Sequence, residues 1–417
     1  MANRWILAGF PPVGHTLRGR VEAGSDNGPM NRRQSARRRL LALVVGPLLL
    51  AVAACAGAAV PPEEATAATA EPTAEASTPE QSPTEPTPAE PSEQAATPAG
   101  AEDGVADPGA RAAALALAPG GTAYLTITDW QAIRARHGAS DLTSDSIQTD
   151  RIEFWRSISH DTVLLTDGAL RAENSRLGLR SGVTQDDVRW EVRWTGPGSD
   201  QAGMVLRLRD DLDLAGLTRA VADDVPGVAG AEVLPGERLL LRGAGDPGDP
   251  LAGNTAVGAV LGDAVESLLV VPGCLTWPDA LGVDATIEDQ DAVVAGQAVD
   301  DLLDIDAWSL GFTGRDAVAR LAYPAGTDPA RVEADAQVRL ALSQDWPTTE
   351  SVGWYDAFGL PPGDGPYVRV SEQDGRPVAT FEHRVVNTTA AATVALAALV
   401  PLAVCAEIDW LAEPTGL

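Results

Sequence analysis

Between Ala56 and Pro108 the chain is built mainly of Ala, Pro, Thr, Glu, Ser and Gln, with no aromatic residue and scarcely a branched apolar one. Such a stretch cannot bury enough apolar surface to offset the entropy of ordering it. A packed body is therefore expected only in Gly109 to Leu417, long enough for one large domain or two modest ones. As a flexible coil of about 50 residues the stretch would span roughly 40 Å, and its prolines and glutamates extend it further. It reads as a stalk.

The residues before the stalk read as an export signal. Arg32, Arg33, Arg37, Arg38 and Arg39 precede an uncharged run from Leu40 to Ala54. A basic segment followed by an apolar one is the pattern of a signal peptide. The run is shorter than the roughly 20 apolar residues of a membrane-spanning helix, and Gly46 and Pro47 interrupt it. Residues 1–54 are thus assigned to the signal. Met30 is the expected start, because Glu22, Asp26 and a Pro-Pro pair sit poorly ahead of such a segment.

The run ends in Val52-Ala53-Ala54-Cys55, which resembles the lipobox of bacterial lipoproteins: a branched residue, two small ones and a cysteine. The resemblance implies cleavage before Cys55, lipidation of Cys55, and a stalk over residues 55–108 that anchors the body to the outer face of the membrane. Two further segments, Asp161 to Gly168 and Thr184 to Val188, look like those of lipoproteins from GC-rich Gram-positive bacteria. They imply a location and no activity.

Charge and cysteine usage agree with that address. Removing residues 1–54 takes eight arginines and two acidic residues from the 30 basic and 59 acidic ones, leaving 22 against 57. So acidic a surface argues against nucleic acid or an anionic bilayer as a direct partner. With Cys55 lipidated, Cys274 and Cys405 remain as an even pair in an oxidising compartment. They are expected to form a disulfide, the alternative being two separate buried thiols.

Periodicity in the body points to an α+β fold: antiparallel sheet from β-hairpins, with helices packed on one face. Val188 to Trp194 alternates strictly, and Met204, Leu206 and Leu208 do the same. A helix is expected from Asp211 to about Asp223, then a hairpin turning at Pro235-Gly236. The order recurs later. Trp308–Thr313 and Ala317–Tyr323 flank a turn, Asp328-Pro329 opens a helix, and Tyr367–Glu372 and Pro377–His383 flank Asp374-Gly375. This suggests a duplicated ββαββ unit, divided into an N-terminal half, 109–252, and a C-terminal half, 253–417. Tyr124–Thr128 reads as a further strand. The other segments read as helical or irregular.

Chemistry is sparse. His137, His160 and His383 lie far from one another and from cysteine, and no Gly-x-Ser-x-Gly or Walker pattern occurs. His160-Asp161 offers a base and an orienter side by side. The acidic region Asp284 to Asp306 contains no calcium-loop spacing. No cofactor and no metal site is expected. If Val188, Trp190, Val192 and Trp194 share an inward face, then Arg189, Arg193, Arg207 and Arg209 share the opposite one, a candidate site for an anionic ligand. Alternatively these arginines pair with the protein's own acids. Trp155, Trp190, Trp194, Trp308, Trp346 and Trp354 line an apolar ligand cavity or simply pack the core.

The expectation is a membrane-tethered, non-enzymatic lipoprotein that binds an envelope ligand, such as a lipid, or a partner protein. An envelope hydrolase would require His160 or His383 in a cleft beside a serine or carboxylate. A transporter's solute-binding subunit would require a doubly wound sheet in two lobes.

Overall fold

A computed structural model of the chain describes residues 109–196, 202–243, 249–347, 352–361 and 367–411. The signal, Met30, Cys55 and the stalk lie outside the described residues.

The first half runs α1 (Gly109–Leu117), β1 (Tyr124–Asp129), α2 (Trp130–Arg136), α3 (Gln148–Asp161), α4 (Asn174–Ser181), β2 (Val188–Thr195), β3 (Gly203–Leu208), α5 (Ala215–Ala222), β4 (Glu232–Leu234) and β5 (Leu239–Arg242). The second runs α6 (Thr255–Val260), β6 (Ser267–Pro272), α7 (Trp277–Leu281), α8 (Ile287–Gly296), β7 (Ala307–Thr313), β8 (Asp316–Ala322), α9 (Pro329–Gln344), α10 (Trp354–Ala357), β9 (Phe358–Gly359), β10 (Val368–Gln373), β11 (Arg376–Val385) and α11 (Thr388–Leu396).

All named strands join one antiparallel sheet in the order β10-β11-β8-β7-β6-β1-β2-β3-β5-β4, with β9 beside β11. Read outward from the centre, the order β1-β2-β3-β5-β4 is repeated by β6-β7-β8-β11-β10. The repeat is therefore larger than two hairpins and a helix, because each copy also has a leading helix and a strand, α1-β1 and α6-β6. The two leading strands pair with each other, Leu125 opposite Val270 and Ile127 opposite Leu268, so the sheet crosses from one half to the other without a break. A sheet made of antiparallel ladders is not the doubly wound sheet of a two-lobed solute-binding subunit.

Helices cover both faces of the sheet, not one alone. On one face, α1 and α6 pack on Leu125, Ile127, Trp190, Val192, Trp194, Leu268 and Val270. The other face carries two clusters. One, in the first half, contains Ile133, Phe154, Leu177, Leu206, Leu208 and Leu217. The second contains Trp277, Trp308, Leu310, Phe312, Leu321, Val332, Phe381 and Val394.

Local sequence explains the element ends. Asp129 accepts from the Ala132 amide at the start of α2 and Asp328 from the Ala330 amide at the start of α9, each with a side-chain oxygen. Asp374 and Gly375 both adopt positive φ, 51° and 75°, as a two-residue hairpin between β10 and β11 requires. The helix expected from Asp211 starts later, at Ala215, where Asp213 accepts from the Ala215 amide. The strand β6, Ser-Leu-Leu-Val-Val-Pro, shows no alternation because its two faces lie in two different cores.

Cys274, just after β6, is bonded to Cys405, 131 residues later, with a Cα–Cα distance of 5.0 Å. The surrounding backbone holds the same junction: the Leu275 amide donates to the Ala403 carbonyl and the Cys405 amide to the Leu275 carbonyl, both at 2.8 Å.

Candidate functional site

The four arginines do not share a face. A β-bulge shifts the register between Val188 and Trp190, so that Val188 lies opposite Leu208 while Trp190 lies opposite Arg207. Val188 accordingly joins the core that holds Leu206 and Leu208, and Trp190 joins the opposite one. Arg207 falls on the Trp190 side, whereas Arg193 lies opposite Met204 and pairs with Glu191 at 3.5 Å. Each of the others is also taken up by acid. Arg189 and Arg207 both donate to Asp210, at 2.6 and 2.5 Å. Arg209, just past the end of β3, meets Asp145, Asp187 and Asp211 within 2.9 Å.

The tryptophans are likewise distributed. Trp190 and Trp194 are buried under α1, while Trp308, Trp346 and Trp354 belong to the core of the second half. Trp155 stands apart, donating to Asp186 at 2.8 Å with the Arg171 guanidinium over its ring. No single cavity unites them among the described residues.

Neither histidine named for a hydrolase has the partners that role requires. His160 is exposed on α3. His383 is buried against Trp354 and Phe358, ring centroids 5.3 and 6.0 Å away, and its Nε2 meets no hydrogen-bond partner. Burial pushes its imidazole down to about 4.

The histidine that does enter a polar cluster is His137, at the C-terminal end of α2. The helix is positioned by its Asp129 cap, and by Arg134, a buried side chain that donates to the Val188 carbonyl at 2.9 Å. Next along, Arg136 reaches Glu266, ahead of β6, through Nε at 2.5 Å and Nη2 at 3.1 Å, and Thr162 through Nη2 at 2.6 Å. Glu266 also accepts from the Gly314 amide at 3.0 Å, so this cluster ties α2 to the β7–β8 turn of the other half. His137 Nε2 lies 3.1 Å from Asp161 Oδ1 and 3.2 Å from Thr162 Oγ1. Burial lowers the His137 imidazole below its ordinary value, against the pull of Asp161.

A catalytic triad needs the two ring nitrogens to serve carboxylate and nucleophile from opposite sides. Here one nitrogen approaches both Asp161 and Thr162, which is an anchoring arrangement. His160-Asp161 thus resolves into a His137–Asp161 contact, brought about by α3 returning its last turn to the end of α2.

His137 lines an open cleft of about 560 Å³ between α3 and the segment that joins α2 to it. Leu142 and Phe154 provide its apolar surface, while Asp141, Asp150, Glu153, Ser146 and Ser157 provide carboxylates and hydroxyls. Asp150, Glu153 and Ser157 fall on one flank of α3 by helical spacing, beside the buried stripe of Phe154 and Ile158. The volume lies in the range of small-ligand sites. Among the described residues no arginine lines it. The acidic region from Asp284 to Asp306 forms no comparable site: among the described residues no group of three Cys, His, Asp or Glu side chains converges to hold a metal ion.

Neither family models, curated proteins nor solved structures offer a match to this chain. What the fold defines is a class: an α+β protein built on one continuous antiparallel sheet, in which the strand order of the first half recurs in the second.

Proposed function

We propose that this chain is a lipid-anchored, extracytoplasmic, non-enzymatic binding protein, tethered through Cys55 and its stalk. Its ligand enters the cleft between α3 and the segment that joins α2 to it, and carries a cationic or hydrogen-bond-donating group. The observation that carries the reading is the lining of that cleft: three carboxylates and two hydroxyls around Leu142 and Phe154, with no arginine among the described residues that line it. The Cys274–Cys405 disulfide supports the oxidising side of the membrane. The arginines first considered for an anion are occupied by Asp145, Asp187, Asp210, Asp211 and Glu191, so the proposed site is the cleft.

The test is native mass spectrometry of the protein purified from its own envelope, beside a variant with Asp150→Asn and Glu153→Gln. A bound mass that the variant loses supports the cleft. A bare protein mass at full recovery removes the small-ligand reading and favours a partner protein, which crosslinking in cells would then identify.

A further inference from the structure

Thr128 of β1 lies directly opposite Glu191 of β2 on one side and Ser267 of β6 on the other, so the three form one row across the centre of the sheet. Alternation turns this row away from Ile127, Val192 and Leu268, towards the face that carries the other two clusters. All three residues are at most 1% exposed.

Glu191 Oε2 accepts from the Ala169 amide at 3.0 Å and from Gln185 Nε2 at 3.2 Å. Glu191 Oε1, Thr128 Oγ1 and Ser267 Oγ have no hydrogen-bond partner within the protein. Arg193 Nε, 3.5 Å from Oε1, is near enough to balance the charge but does not make a hydrogen bond to it. Three buried oxygens left unpaired in one spot are costly. Side chains directly opposite in an antiparallel pair have Cβ atoms roughly 5 Å apart, a gap that one bridging oxygen spans.

We infer that this row holds an internal water molecule. The water donates to Glu191 Oε1 and bonds the hydroxyls of Thr128 and Ser267, making the roughly three hydrogen bonds typical of buried water. A divalent cation does not suit the row. Three side-chain oxygens fall short of the six to eight that calcium takes, and the neighbouring strand carbonyls are engaged in the ladder. Since Thr128 and Glu191 belong to one repeat and Ser267 to the other, this water joins the two copies where their leading strands pair.

The test is water-¹⁷O magnetic relaxation dispersion on the full chain, which counts long-lived internal waters. The Thr128→Val variant and the Thr128→Val, Ser267→Ala pair are compared with wild type. The double variant is expected to lose one long-lived water. An unchanged count overturns the inference and means that the three side chains pair directly. A melting temperature that rises when sodium or potassium replaces choline at constant ionic strength, and ceases to do so in Thr128→Val, overturns it in favour of a cation. Thr128→Val keeps the side-chain shape, so the comparison survives if the double variant fails to fold.

Discussion

Arg339 Nη1 donates to the Val404 carbonyl at 2.8 Å and to the Leu402 carbonyl at 2.9 Å, so a fully buried guanidinium on α9 holds the segment that carries Cys405. Its Nη2 reaches the Leu303 carbonyl at 2.7 Å and its Nε reaches Asp335 at 2.7 Å. Asp335 in turn accepts from Tyr323 and from the Leu303 amide. Every member of this network is satisfied, which is the condition under which buried charge is tolerated.

Asp335→Ala leaves the Arg339 charge buried without its carboxylate and is expected to cost about 3–5 kcal/mol of stability. Adding Arg339→Met should recover part of that loss. Denaturant unfolding of both variants checks this, and a double variant no more stable than Asp335→Ala would contradict it.

Breaking the Cys274–Cys405 bond opens a loop of 131 residues. The chain-entropy relation puts the loss at up to about 5 kcal/mol. Urea midpoints with and without reductant should separate accordingly, and the difference should vanish in a Cys274→Ser, Cys405→Ser variant.

His383 is neutral in the fold, with its pKa lowered from 6.5 to about 4 by burial. A lowered histidine pKa means that the unfolded chain binds the extra proton first. The stability associated with the neutral ring is complete above about pH 6.5 and is lost as pH falls towards 4. The full loss is roughly 3 kcal/mol. His383→Leu should flatten this part of the stability-against-pH curve; a slope equal to that of wild type between pH 6.5 and 4 would refute the assignment.

Gly203 stands opposite Trp194, and a Cβ there would come within 2.3 Å of the indole. Trp194 is buried and cannot move aside. Gly203→Ala is expected to destabilise by about 1–3 kcal/mol through overpacking, with a lowered thermal midpoint as the readout.

Cys55→Ser should move the protein from the detergent phase to the aqueous phase in Triton X-114 partition of whole cells. Persistence in the detergent phase would remove the lipid anchor from the proposed function.

Where local chemistry decides the outcome, the elements were legible in advance. The alternation of β2, the Asp374-Gly375 turn and the cap at Asp328 each depend on a few adjacent residues. The strand β6 was not legible, because a continuous apolar run signals burial on two sides without saying whether it is strand or helix. The supposed arginine face failed at one bulged residue, since side chains alternate with period two and a single extra residue exchanges the faces beyond it. The cleft was invisible for a different reason: His137 and Glu153 become neighbours only when α3 folds back along α2.

By itself, then, the sequence determined the α+β class and the hairpin-helix-hairpin recurrence, because each follows from local periodicity and turn chemistry. Only the tertiary structure decided that β1 and β6 join the two repeats into one sheet, that the arginines are spent on the protein's own acids, and that His137 shares one nitrogen between Asp161 and Thr162. Those outcomes depend on contacts between residues far apart in the chain, whose partners are chosen by packing both faces of one sheet at once and leave no local trace in composition or spacing.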